Sequence, residues 1–184
     1  IMAFWVFGDA TVGKPWGKEP VIKFLCPVPG YDRHFAICEK LGIEMIPVPM
    51  DERGPEMDLV EKLAGEDMQI KGIWCVPKYS NPTGAVYSTE TVKRLATMKA
   101  APDFKIFWDN AYMVHPLGNR DIPLPDLFGT CKNVGTEDRV LVFCSTSKIS
   151  YPGSGVAAMA LSDKNMAWLR KWMCAQVIGP DKVN

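Results

Sequence analysis

Potential metal ligands are scarce in this chain. Only two histidines, His34 and His115, occur among its 184 residues, and the six cysteines, at 26, 38, 75, 131, 144 and 174, contain no C-x-x-C pair. A zinc site therefore lacks ligands at the spacing such sites use, and no metal is assigned. Cys26, Cys75 and Cys144 lie inside apolar runs, where a reduced thiol acts as a small hydrophobe. That is the usage of a cytoplasmic protein, not of a disulfide-stapled one. An excess of one charge is missing too: 21 basic residues balance 21 acidic ones, with no long block of either sign. Nothing in that balance offers a surface to nucleic acid or to an anionic membrane, so the expected partner is a small molecule. The apolar opening, residues 1–8, is too short to span a bilayer and lacks the basic start and cleavage site of a secretory signal. The P-loop pattern, internal repeats and low-complexity segments are likewise missing.

What remains is enough for one domain with a substantial core, since 47% of the residues are hydrophobic. Continuous apolar runs predict strands at residues 21–26, 43–48, 70–76, 104–108, 140–144 and 155–161. Pro47 and Pro49 mark the second as an edge strand or one that ends early. Helical spacing of apolar residues predicts helices over 31–41, 55–64, 90–99 and 163–177, with Ser88 or Thr89 as a cap for the third. Residues 4–15 read as an irregular entry loop with buried aromatics or as the tail of an earlier element, and residues 115–136, rich in Pro, Gly and Asp, read as a long loop of the kind that is often functional. Trp168 and Trp172, four apart, are expected to pack on the sheet or on another domain. Strands that alternate with helices imply an α/β fold, a three-layer α/β/α sandwich around a mostly parallel sheet. In such a fold ligands bind beyond the carboxyl ends of the strands.

Three of those ends carry unusual polar residues. Asn81 follows the third strand, Asp109 and Tyr112 the fourth, and Ser145, Ser147 and Lys148 the fifth. Singly, each has a plain reading: a Pro-Gly turn, a helix cap, a packed ring, a solvated lysine. Jointly, their order and spacing set them apart, with 28 residues from Asn81 to Asp109 and 39 from Asp109 to Lys148.

The segments Asn81-Pro82-Thr83-Gly84, Asp109-Asn110-Ala111-Tyr112 and Ser145-Thr146-Ser147-Lys148 resemble, in that order, the large domain of class I aminotransferases, pyridoxal-phosphate enzymes of fold type I. The resemblance runs from about residue 21 to 184, and the phrases CPVPGYDRHF and IGPDKVN are similar to a bacterial aspartate aminotransferase subgroup. It implies pyridoxal 5'-phosphate as cofactor, with Lys148 forming the Schiff base and then carrying the proton between substrate and cofactor. Asp109 would keep the ring nitrogen protonated, Asn81 and Tyr112 would donate to the ring oxygen, and Ser145 and Ser147 would help hold the phosphate. The implied reaction is transamination between an amino acid, aspartate or another acidic donor, and a 2-oxo acid. Two alternatives stay open: another reaction of the same cofactor (β-elimination or decarboxylation), or a non-catalytic effector module of a regulator. The resemblance also implies a cytoplasmic homodimer for the full-length protein. Residues 1–184 are then part of its cofactor domain, without the N-terminal segment and the C-terminal small domain, and inactive alone.

Some positions depart from the family pattern. Val156 stands where a phosphate-binding arginine is usual, and no arginine occurs between Arg139 and Arg170, so the loop with Ser150 and Ser154 is expected to substitute through its hydroxyls and backbone N–H groups. Val28 occupies the usual place of the ring-stacking aromatic, which leaves Tyr31 as the candidate. Arg33 and His34, after the Pro-Gly-Tyr turn, read as a solvated helix start, with contact to a ligand as the alternative, and His115 as a loop histidine rather than a catalytic one. The G-x-G-x-x-A match at residues 153–158 is set aside as a dinucleotide site, because its strand ends well before it and position 173, where an acid is needed, is Met.

Overall fold

A computed structural model describes residues 1–8, 10–115, 121–150 and 155–179. Among these residues seven strands form one sheet in the order β3-β2-β1-β4-β5-β6-β7. They are β1 (Lys23–Val28), β2 (Glu44–Asp51), β3 (Gly54–Pro55), β4 (Ile70–Cys75), β5 (Lys105–Asp109), β6 (Val140–Ser145) and β7 (Ala157–Leu161). The pairs β1–β2, β1–β4, β4–β5 and β5–β6 are parallel, while the outermost β3 and β7 run antiparallel to their neighbours. The mostly parallel sheet read from the apolar runs is the one observed.

The pleat sorts the strand residues into two cores. Ile73, Ile106, Trp108 and Val140 face one side, where α3 (Met57–Glu66), α4 (Thr89–Thr97) and α5 (Leu127–Val134) cover them. Phe24, Trp74, Phe107 and Leu141 face the other, under α1 (Met2–Phe7), α2 (Asp32–Lys40) and α6 (Asp163–Gln176). The central strands are buried on both faces, which is why they read as largely apolar runs without an alternating polar side. At the centre, Gly72 makes room for Phe24: a Cβ there would lie 2.5 Å from the Phe24 ring and 2.6 Å from the Lys105 carbonyl oxygen.

Several sequence expectations change. β1 continues through Pro27, and β2 runs through Pro47 and Pro49 with its pairing to β1 unbroken. The two β2 prolines are two residues apart and share one side of the strand, so a missing N–H on each leaves the β1 ladder intact. Helix α3 starts later than expected because Gly54–Pro55 pairs with Met50–Asp51 as β3. Ser88 caps α4 as expected, its Oγ accepting from the Thr91 N–H at 3.1 Å.

Two helices occupy segments read as irregular. Helix α5 lies inside the expected loop; Asp126 caps it by accepting from the Gly129 N–H at 3.0 Å, and Gly135 ends it in the left-handed region at φ 72°. Helix α1, only six residues long, has no polar face and is held by packing. Trp5 lies 3.8 Å from Trp168 between ring centroids, and Phe4 stacks on Trp172 at 5.7 Å. Trp168 and Trp172 thus meet α1, where the sequence suggested the sheet or another domain. Among the described residues no helix is long and apolar enough to cross a membrane.

Candidate active site

The carboxyl ends of β4, β5 and β6 lie side by side, so the polar residues that follow them share one rim. Asp109 is the last residue of β5, and by the pleat its side chain faces α2, opposite to Trp108 and Asn110. There its Oδ2 meets His34 Nε2 at 2.9 Å. The imidazole is buried and stacks on Trp74, with centroids 4.1 Å apart and planes 7° from parallel, while Tyr31 meets it edge-on at 5.3 Å. The Trp74 indole N–H in turn donates to Cys38 Sγ at 3.2 Å. Hydrogen bonds with Cys26 and with Trp74 draw the Cys38 thiol's pKa down against the opposing effect of burial.

His34 overturns the expectation of a solvated helix start. Arg33 is exposed as read, but His34 and Cys38, four residues apart, form the stripe of α2 that faces the sheet. The helix is seated closely because the chain turns at Gly30, where a Cβ would run into the Pro27 carbonyl oxygen and the Phe35 ring. That His–Cys spacing is the signal in the sequence that could have identified the residue.

Asp109 and Ser145 line a common cleft of about 920 Å³, together with Tyr31, Arg33, His34 and Phe143. Asp109 Oδ1 has no protein partner among the described residues, so the carboxylate is oriented on one oxygen and available on the other. Tyr31, the candidate aromatic, is therefore at the cleft, and the exposed Arg33 lines it as well.

Lys148 is exposed in the turn after β6, with Nζ 6.0 Å from the centre of the Tyr112 ring. Its carbonyl accepts from His115 Nε2 at 2.8 Å, so His115 tethers this turn to the one that carries Tyr112. Thr146, given no role by sequence, organises the loop: its N–H donates to Val156 O and its Oγ1 accepts from the Val156 N–H, both at 2.9 Å. Ser147 is half-buried against Gly155, where a Cβ would approach to 3.0 Å. Asn81 is exposed, in a turn that begins with a cis Asn81–Pro82 bond, and its side chain makes no hydrogen bond among the described residues. The structure thus brings Asp109 together with Ser145, and Tyr112 with Lys148, and leaves Asn81 apart on the same rim. Ser154 and residues 151–153 of the loop suggested for phosphate lie outside the described residues.

The family model described as aspartate amino-transferase matches residues 1–184. A protein of Mycolicibacterium smegmatis whose name assigns it to the aminotransferases is 54% identical over 178 residues, 96% of this chain and 42% of its own. An aspartate aminotransferase of Corynebacterium glutamicum is 46% identical over 98% of this chain and 42% of its own. The crystal structure of an aspartate transaminase from C. glutamicum superposes with a TM-score of 0.94 at 45% identity, over 99% of this chain and 43% of that one. The fold alone is shared with the α-aminoadipate aminotransferase of Thermus thermophilus, at 24% identity and a TM-score of 0.73. The chain spans less than half the length of these relatives. Because the family model matches residues 1–184 of it, the chain belongs to the aspartate aminotransferase family.

Proposed function

We propose that these residues are part of the cofactor domain of a pyridoxal-phosphate-dependent aminotransferase, which moves the amino group of aspartate or another acidic amino acid to a 2-oxo acid. The observation that carries this reading is the Asp109 carboxylate, fixed on Oδ2 by His34 and open on Oδ1 in a cleft large enough for a cofactor with its substrate. That chemistry fits a protonated ring nitrogen. When bound, pyridoxal phosphate supplies an electron-withdrawing ring that draws electrons from the substrate α-carbon.

The chain's own residues would do the rest. Asp109 Oδ1 accepts from the ring N–H, and the adjacent negative charge keeps that nitrogen protonated. Asn81 and Tyr112 donate neutral hydrogen bonds to the ring oxygen. Ser145 and Ser147 donate to the phosphate. Lys148 is the covalent anchor and, once released, the base that holds the proton taken from the substrate α-carbon. On the same reading the whole protein is a cytoplasmic homodimer, and the 184 residues alone bind cofactor weakly and do not turn over.

The test uses the full polypeptide that carries these residues. Visible absorbance reports the bound cofactor, borohydride reduction fixes it, and peptide mapping should find it on Lys148; attachment to another lysine ends this assignment. Keto-acid formation from aspartate with 2-oxoglutarate is the expected activity. Ammonia release without an amino acceptor would replace transamination by elimination.

A further inference from the structure

The loops that follow β5 and β6 meet through one side chain. His115 Nε2 lies 2.8 Å from the carbonyl oxygen of Lys148, 33 positions further on. A carbonyl only accepts, so the contact makes Nε2 the protonated ring nitrogen. The imidazole is half-buried, with Nδ1 shielded from solvent, and it is seated in its own loop. Its backbone N–H donates to Tyr112 O at 3.2 Å, and the ring meets the Tyr112 ring edge-on at 6.0 Å. The turn it reaches is closed on itself, since the N–H groups of Ile149 and Ser150 both donate to Thr146 O at 2.8 Å. Lys148 therefore stands in a turn held from two sides, by Thr146 on Val156 just before β7 and by His115 from the loop after β5. The lysine side chain itself is exposed and long, so its direction depends on the backbone beneath it.

We propose that His115 is a positioning residue for Lys148. Its Nε2–H fixes the lysine's carbonyl, and with it the direction in which the side chain leaves the turn, while the same ring packs against Tyr112. The role rests on the reading of Lys148 as covalent anchor and base, and it is exerted through the lysine's backbone, not on the substrate. A base contributes to a proton transfer only while it is held within reach of the proton, so a turn that drifts forfeits part of its effect. Packing alone needs only a ring of this size beside Tyr112, whereas positioning needs a donor at the place of Nε2. Substitution separates the two. Phenylalanine keeps the ring and removes the donor, glutamine sets an amide N–H near the place of Nε2, and asparagine sets one near the place of Nδ1, short of the carbonyl.

The test begins on the full polypeptide without cofactor and needs no variant. Long-range proton–nitrogen NMR of the imidazole should find the proton of His115 on Nε2; a bare Nε2, or rapid averaging between tautomers, overturns the proposal. His115→Phe should then speed amide exchange at Ile149 and Ser150 by about two- to tenfold, the equivalent of one neutral hydrogen bond, and unchanged exchange also overturns it. In the holoenzyme His115→Phe should lower kcat by about tenfold with KM unchanged. His115→Gln should recover most of that loss and His115→Asn should not. Equal kcat in the three variants, or a change in KM alone, reduces His115 to packing. Borohydride reduction distinguishes this failure from that of the underlying reading: an adduct on another lysine removes the role of Lys148 and the positioning role with it, whatever the NMR shows.

Discussion

His34 Nε2 lies 2.9 Å from Asp109 Oδ2, with the imidazole held flat against Trp74. The two residues are 75 positions apart, so this contact is made by the tertiary fold alone. Hydrogen bonds to a charged group are worth about 1.5–3 kcal/mol, so His34→Ala should lower kcat/KM by roughly ten- to a hundredfold. His34→Gln, which retains an N–H donor, should recover part of that loss. The pH profile of the bound chromophore should shift in the alanine variant; an unchanged profile beside a lowered melting temperature would reduce His34 to a packing residue.

Lys148 and Tyr112 form a second pair, in which ring and ammonium can be separated by mutation. Lys148→Ala should cost about a hundred- to ten-thousandfold or more in single-turnover rate, the range for loss of a positioned base. Tyr112→Phe keeps the ring beside Lys148 and removes only the hydroxyl, at a cost of about tenfold or less. A Tyr112→Phe loss as large as that of Lys148→Ala would mean that the phenol, not the lysine, handles the proton.

Two glycines separate packing from backbone strain. Gly72→Ala drives a methyl into the Phe24 ring and the β5 backbone and should cost about 3 kcal/mol or more. Gly135→Ala meets nothing within 4 Å and is strained only by its φ of 72°, for about 1 kcal/mol. Urea unfolding of both variants gives the comparison, and the reverse order would contradict the seating of Phe24 over β4.

Lys105, at the opposite end of β5 from the cleft, is buried, and desolvation lowers its pKa to about 8. Its ammonium donates to Asp138 O at 2.6 Å and lies 5.4 Å from the Trp5 ring, so its charge is only partly compensated. Unfolding restores the ordinary value near 10.5, so between about pH 8 and 10.5 the unfolded chain holds a proton that the folded one has lost. This group's contribution therefore makes stability rise with pH through that window, by about 3 kcal/mol at most. Buried Cys75 acts in the opposite direction, because burial raises its thiol pKa and the unfolded chain ionises first. The difference between wild type and Lys105→Met, followed by urea unfolding from pH 7 to 9, isolates the lysine. Wild type should gain on the variant as pH rises, and a constant difference would refute the shift.

Much of the scaffold is legible in the sequence. Runs such as 72–75 and 106–108 are apolar on both faces because both faces are covered, and Asp109 and Ser145 stand out as polar residues where such runs end. Helix α5 carried its signals as well, Asp126 before it and Gly135 after it, but the density of proline and glycine around it concealed them. Helix α1 had no comparable signal. Six apolar residues do not form a helix alone, and these do so because Trp5 and Phe4 find Trp168 and Trp172.

The local pattern of the sequence by itself determined the alternation of strands and helices, the mostly parallel sheet and the strand ends that carry Asp109, Ser145 and Lys148. Periodicity and turn chemistry act over a few residues, and those features are local. Only the tertiary structure decided that His34 turns inward onto Asp109, that Arg33 borders the cleft, and that His115 ties the turn of Lys148 to that of Tyr112. Each of these depends on which faces of distant elements meet, a choice made by packing across the sheet and not by any neighbour in the chain.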